Sequence, residues 1–241
     1  MEDARTEYDF RSYILEQLEK WEKSKEVQAD GKVRPMSVVT VSSLPGSGGK
    51  VVARRIAEKM GFDLFEREII QRIARSADIS TAVVDTLEKH RLSGIEDFIS
   101  SLVNKQYLWP GVYLDHLMRV IGVIGKHGNA VIVGRGANFI LPPEERLAVR
   151  VVAPLETRVE NISRDYEVPP EDARRRAINR ESKRQAFIRK SFNADVADPL
   201  NYDLVLNMEH LSMEEAMEAV TAVLMKKGCK PVDWGSSTGA V

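Results

Sequence analysis

One cysteine, Cys229, stands in 241 residues, so neither an internal disulfide nor a cysteine-only metal site can form. That thiol reads as an incidental residue of a C-terminal tail. Charge of one sign is lacking too. The 35 basic and 36 acidic residues leave a formal net charge of -1, which offers no global pull toward nucleic acid. No apolar run approaches the ~20 residues that a membrane helix needs. The opening "MEDARTEYDF" is acidic and lacks the apolar core of a signal peptide. The expectation is a cytoplasmic protein with no nucleic-acid and no membrane partner. His90, His116, His127 and His210 fall at no metal-ligand spacing and default to structural or surface roles. No Ser-His-Asp arrangement and no G-x-S-x-G elbow is present, and the sequence assigns no metal ligand.

What is present is an alternation of apolar patterns. Phe10, Ile14, Leu18 and Trp21 recur at helical spacing from Tyr8 to about Lys25, and the polar "SKEVQADGKVRP" then breaks the pattern. Residues 1–35 are therefore an amphipathic helix with a linker, expected to dock on the main domain, on a second copy in a homodimer, or on another partner. The main domain is expected at 36–228. Its strands are "MSVVTVSS", "FDLF", "AVIVG" at 130–134, "LAVRVVA" at 147–153 and "DLVLNM" at 203–208. Helical patterns follow the first strand and cover Glu66–Ser76, Tyr113–Lys126, Leu155–Tyr166 and Glu171–Phe192. A last helix opens on Ser212 and Glu215, spaced as a capping box. Strands alternating with helices indicate an α/β fold, a five-stranded parallel sheet covered on both faces. Residues 77–128 read as a helical insertion, and 229–241 as a mobile tail.

Three stretches carry chemistry. The first is "SSLPGSGGKVV", a glycine turn between the first strand and its helix. It fails the phosphate-loop pattern G-x-x-x-x-G-K-[ST] in both registers. With Gly48 as the second glycine, Gly49 and Lys50 occupy the Lys and Ser/Thr positions. With Lys50 as the lysine, Leu44 and Val51 occupy the first Gly and the hydroxyl positions. Backbone amides of Gly46, Ser47, Gly48 and Gly49 at a helix N-terminus nonetheless suit phosphate. One helical step turns a side chain by about 100°, so Lys50 is expected to reach a phosphate from the side, as a point charge. The second stretch is "EDARRRAINRESKRQAFIRK", where Arg176, Arg180 and Arg184 share a helix face. Such a stripe serves a phosphoryl-transfer enzyme, whose transition state spreads charge over several oxygens. It equally serves as a solvated face paired with Glu171, Asp172 and Glu181. The third is Arg135, between Gly134 and Gly136 at the carboxyl end of a strand, where open parallel sheets bind ligands. Arg72, flanking the core face of its helix, reads by itself as a solvated side chain.

Together "VSSLPGSGGKVVARRIAEKMG", "LFEREIIQRIA", "AVIVGRGANFIL", "LAVRVVAPLETRVENI" and "DPLNYDLVLNMEHLSMEEA" resemble the cytidylate kinase-like family of P-loop nucleoside monophosphate kinases. The resemblance runs from about Met36 to Lys227. It implies a P-loop NTPase-type three-layer sandwich in which 77–128 is a helical nucleotide-binding insertion and 167–192 a basic lid. It implies transfer of the γ-phosphoryl group of ATP, with Mg²⁺, to a nucleoside monophosphate such as CMP or a similar small phosphorylated acceptor. Gly46, Ser47, Gly48, Gly49 and Lys50 would hold the donor. Arg72, Arg135 and Glu66 would hold the acceptor, and Arg180, Arg184 and Lys50 would be catalytic. The family's loop reads G-S-G-G followed by Arg or Lys, so the displaced lysine belongs to it. Gly136 stands where true cytidylate kinases carry the Asp that helps recognise cytidine. Lys50 stands where a hydroxyl binds Mg²⁺, with Ser47 as the nearest substitute. The other reading is a nucleotide-binding regulatory or interaction module with weak or no transfer activity.

Overall fold

A computed structural model describes residues 14, 16–21, 37–75, 82–84 and 111–232. Five parallel strands form one sheet in the order β2-β3-β1-β4-β5: β1 (Val38–Ser43), β2 (Asp63–Phe65), β3 (Ala130–Val133), β4 (Leu147–Val152) and β5 (Leu204–Asn207). The central three strands are runs of β-branched and small apolar residues because both of their faces are buried. Helices α1 (Gly49–Met60), α2 (Arg67–Arg75), α3 (Val112–His127), α4 (Ala137–Ile140), α5 (Leu155–Tyr166), α6 (Pro170–Phe192) and α7 (Met213–Lys226) alternate with them.

The strand alternation sorts the core into two layers. Val39, Val41, Val131, Val149 and Val151 face α1 and α7, where Val52, Ile56, Ala216 and Val220 complete the packing. Val38, Ala130 and Ile132 face the other way, toward Leu117, Ile121 and Ile124 of α3 and Ile188 and Phe192 of α6. The capping box of α7 is present, with the Glu215 amide donating to Ser212 Oγ and the Ser212 amide to Glu215 Oε2. Gly61 ends α1 in the left-handed conformation, φ 64°.

Part of the N-terminal amphipathic segment lies among the described residues, and it docks on this domain. Ile14 and Trp21 are buried at the end of the α3 layer. The Trp21 ring stacks on His127 with centroids 4.2 Å apart and on Phe65 at 6.0 Å. Gln17 Nε2 donates to Asp63 Oδ2 at 2.8 Å, and Lys20 pairs with Asp63 Oδ1 at 3.3 Å. At the other terminus the expected mobile tail is packed through residue 232. Cys229 belongs to the α1/α7 core, and the Val232 amide donates to the Met60 carbonyl at 2.8 Å. A buried thiol and a backbone hydrogen bond hold this piece, features that a glycine- and serine-rich tail composition conceals. The expected linker, most of the expected insertion between 77 and 110, and the tail beyond 232 lie outside the described residues. No helix among those described is long and apolar enough to cross a membrane.

Truncating Trp21 removes a buried aromatic and two ring contacts. Trp21→Ala is expected to cost about 3–5 kcal/mol, read as a lower urea midpoint with an unchanged slope.

Candidate active site

The turn after β1 is built by close approach. A Cβ on Gly46 would stand 2.5 Å from the Arg158 carbonyl oxygen of α5, and one on Gly49 would stand 2.3 Å from Ser43 Cβ. Gly46 and Gly48 hold φ of 82° and 80°, a region that other residues enter at a cost. Beside Gly48 the space is open, with only Met213 Cε at 3.7 Å. Two neighbours clamp the turn. The Val151 carbonyl of β4 accepts from the Leu44 amide at 3.0 Å, and Asn161 Nδ2 of α5 donates to the Gly46 carbonyl at 2.9 Å. The amides of Gly48, Gly49 and Lys50, at the N-terminus of α1, have no acceptor among the described residues. They face outward with the positive end of the helix dipole behind them.

Two residues expected to meet the donor are turned to other partners. Ser47 is buried; its amide donates to the Leu44 carbonyl at 3.1 Å, and its hydroxyl lies within bonding distance of the Leu44 and Val151 carbonyls at 2.9 and 3.0 Å. It closes the turn and does not present an oxygen to a cation. Among the described residues no cluster of His, Cys, Asp or Glu could hold a metal. The Ser47 hydroxyl, the loop's nearest candidate, is thus not placed to hold a magnesium ion. Lys50 leaves α1 sideways: its Nζ is 2.9 Å from Glu66 Oε2 and 3.5 Å from Glu68 Oε2, and Arg54 joins the Glu66 pair at 3.4 Å. Burial pulls the Lys50 ammonium down, but the Glu66 hydrogen bond and the Glu68 and Glu66 charges outweigh it and hold the group above its ordinary value. Glu66, expected beside the acceptor, is therefore joined to the loop's own lysine.

On the α3/α6 face of the sheet, cations gather at the carboxyl ends of the strands. Arg184 of α6 donates to the Ser43 carbonyl, where the turn begins. Burial, with Arg67, Arg150 and Arg180 nearby, pushes its guanidinium down to about 10. Arg180, one helical turn away, lies over the Tyr166 ring at 5.1 Å and is 3.3 Å from its hydroxyl. Arg176 is exposed. Two of the three acidic residues considered as partners for this stripe are engaged with other arginines: Glu181 pairs with Arg158 at 2.9 Å and Asp172 with Arg175 at 2.9 Å.

Arg135 sits where β3 ends, in a run of three left-handed residues: Gly134 at φ 76°, Arg135 at 56° and Gly136 at 71°. An arginine held there stores strain that its surroundings must offset. Its guanidinium donates to Gln71 Oε1 of α2 and lies 5.9 Å from the Phe187 ring of α6. Its Nε is buried with no partner among the described residues. Burial lowers its affinity for the proton, and Arg67 and Arg75 add to this against the opposite pull of Tyr113 and Glu68. Gly136 cannot carry a side chain, since a Cβ would fall 2.3 Å from Phe192 Cε2. Arg72 is partly buried in the last turn of α2, next to the Gln71 that binds Arg135.

Two residues of this face escaped the sequence reading. Gln71 had no distinguishing pattern. Arg150 did have one: it is a charged residue inside the apolar run of a central strand, a placement that demands a reason.

An open parallel sheet with a glycine turn at the first helix and arginines over its carboxyl end defines a P-loop-type α/β protein. The chain belongs to the cytidylate kinase-like family, whose profile matches residues 38–210. A cytidylate kinase of Ignicoccus hospitalis is 25% identical over 191 residues, 79% of this chain and 100% of the relative. One of Methanopyrus kandleri is 26% identical over 197 residues, 78% of this chain and 92% of its own. Among solved structures, an uncharacterized protein from Eubacterium ventriosum shares the fold, with a TM-score of 0.56 and 16% identity over 78% of this chain and 98% of the other.

The geometry separates the glycines. Gly48→Ala, with room for a methyl group, is expected to cost about 1–2 kcal/mol of left-handed strain. Gly46→Ala adds a clash with backbone and should exceed that by about 1–3 kcal/mol. Urea unfolding of the two variants reads the difference. Lys50→Met should change stability by less than about 1 kcal/mol, as partly exposed ion pairs do.

Proposed function

We propose that this protein is a phosphotransferase that moves the γ-phosphoryl group of ATP to a nucleoside monophosphate or a similar small phosphorylated acceptor. The observation that carries the reading is the meeting of Arg184 with Ser43, where the glycine turn begins. A cation from the 23-residue α6 thereby stands where the glycine turn begins, which supports an anion site there. Kinship with proteins named cytidylate kinase supports phosphoryl transfer as the chemistry.

In this reading the donor phosphates rest on the amides of Gly48, Gly49 and Lys50, with the Gly46 turn holding them in place. Arg184, and Arg180 once released from Tyr166, balance the charge that develops on the transferring oxygens. The attacking atom is an oxygen of the acceptor phosphate; its bond to the γ-phosphorus forms as the β–γ bridging bond breaks, and ADP leaves. Arg135 is the acceptor's anchor, with Arg72 beside it on α2. Orientation, charge balance and exclusion of water are the protein's whole contribution, as suits a transition state with little covalent chemistry for side chains. Magnesium would arrive on the nucleotide, and no protein ligand is assigned to it. CMP is one acceptor among several to test, because Gly136 and Phe192 leave no carboxylate at the end of β3.

A regulatory nucleotide-binding module is the second reading, favoured by Ser47 and Lys50 having other partners. Radiolabelled ATP with a panel of nucleoside monophosphates separates the two: label in a diphosphate product establishes the kinase, and binding without transfer to any acceptor establishes the module.

With the acceptor identified, Arg135→Ala is expected to weaken acceptor binding by about 1.5–3 kcal/mol and ATP binding much less. Equal losses would make Arg135 a scaffold residue. Single-turnover transfer should fall on the order of tenfold in Lys50→Met and substantially more in Arg184→Met or Arg180→Met. Elimination of transfer by Lys50→Met alone, with the α6 variants active, would return the loop lysine to its usual role.

A further inference from the structure

Three arginines among the described residues are buried side chains with less than a tenth of their surface exposed: Arg146 at 8%, Arg150 at 6% and Arg158 at 6%. A buried cation is ordinarily matched by a carboxylate, because removing it from water without one is costly. Arg146 obeys this, with its guanidinium 3.5 Å from Asp203 Oδ2 and bonded to the Leu141 carbonyl. Arg158 obeys it, paired with Glu181 at 2.9 Å. Arg150 does not. Its Nη1 donates to Ser42 Oγ at 2.6 Å and its guanidinium lies 5.7 Å from the Tyr202 ring, both neutral groups. No carboxylate among the described residues stands within ion-pair distance of it.

Its place in the sheet makes the omission informative. Arg150 on β4 pairs in register with Ser42 on β1, one residue before the Ser43 whose carbonyl holds Arg184. Two guanidiniums are thus bonded to consecutive residues at the carboxyl end of the central strand, and the charge of Arg150 helps to lower the proton affinity of Arg184. Burial pushes Arg150 below its ordinary range, relieved in part by Tyr202 and by a Glu181 already paired elsewhere. The glycine turn begins at the same point. A neutral strand residue such as valine would fill this position without any of that electrostatic strain.

We infer that Arg150 is a binding residue of the site, and that it and Arg184 share a polyphosphate-type anion as their missing counterion. The inference rests on the phosphotransferase reading for the source of the anion but needs no turnover to test. In the free protein the two charges repel. A bound phosphoryl chain converts that repulsion into attraction, so charge balance at the bottom of the site depends on occupancy.

The probe is inorganic tripolyphosphate, added to the full chain and followed by thermal unfolding, with sodium chloride at matched ionic strength as control. The wild type is expected to gain about 4 °C in Tm at an anion concentration near ten times its Kd. Arg150→Met should lose most of that gain, each variant being compared with its own anion-free Tm. Arg150→Lys, which keeps a charge at the position, should retain at least half of it. Arg146→Met is the contrasting case: it should lower the anion-free Tm, because it removes a buried guanidinium bonded to Leu141 and Asp203, and keep the gain. An Arg150→Met protein that keeps the wild-type gain overturns the inference, and so does a wild type that tripolyphosphate leaves unshifted. Transfer activity in the wild type alongside an unaltered anion response in Arg150→Met would sink this role for Arg150 while leaving the phosphotransferase reading intact.

Discussion

The Val151 carbonyl is the contact on which the rest of the site depends. It receives the Leu44 amide and faces the Ser47 hydroxyl, both at 3.0 Å, and so ties the turn after β1 to the end of β4. A turn fixed on that side can approach α5 closely on the other, where Gly46 has no room for a side chain. The chain of attachments continues outward. Arg158, whose carbonyl bounds Gly46, reaches Glu181 on α6 through its own guanidinium, and α6 returns Arg184 to Ser43. Turn, α5 and α6 are therefore one mechanical unit. Its amides at the start of α1 are held in place before any ligand arrives, the condition under which fixed dipoles are worth most.

Charge is divided within that unit. Arg135, Arg150 and Arg184 are partly or fully desolvated on the α3/α6 face, each with proton affinity lowered chiefly by burial. Glu66 and Glu68 stand at the start of α2 and are matched by Lys50, Arg54 and Arg67. A lysine one step further along a helix than the usual position points about 100° away. Here that rotation delivers it to a pair of carboxylates. The displaced Lys50 is thus paired with Glu66 and Glu68, while Arg135, Arg150 and Arg184 of the opposite face lack carboxylate partners of that kind among the described residues.

Periodicity made the scaffold legible. The five strands were visible because both faces of the central ones are buried, which writes them as short apolar runs. α5 and α7 were visible because amphipathic spacing and a capping box mark their bounds. Those are local signals. The pairings that define the site are not local: Arg135 meets Gln71 across 64 residues, Arg150 meets Ser42 across 108, and Arg184 meets Ser43 across 141. Nothing in the neighbourhood of Lys50 distinguishes a reach toward phosphate from a reach toward Glu66, because the choice depends on where the end of β2 places the residue that follows it. Ser47 was similarly ambiguous. Its hydroxyl is polar and near the right position, and only the closeness of the Val151 carbonyl turns it inward.

The anchoring of α6 constrains how the site could close. Its last turn is fixed in the core, where Ile188 and Phe192 are buried and the Phe192 ring occupies the space beside Gly136. Its first half touches the protein mainly through Ala173 and Ala177, which pack on Val159 and Ile162 of α5. A closure that swung α6 as a rigid rod would have to pull Phe192 away from Gly136 and expose a stacked aromatic contact with Phe139 at 5.5 Å. That is a loss of the kind a packed core resists. Rotation of the Arg180 side chain off Tyr166 asks for much less, since it breaks only an exposed cation–ring contact and a 3.3 Å bond to that tyrosine's hydroxyl. The same aromatic ring that crowds out a side chain at Gly136 therefore also holds the last turn of α6 in place. Of the two motions, rotation of an arginine side chain leaves the packing around Phe192 intact.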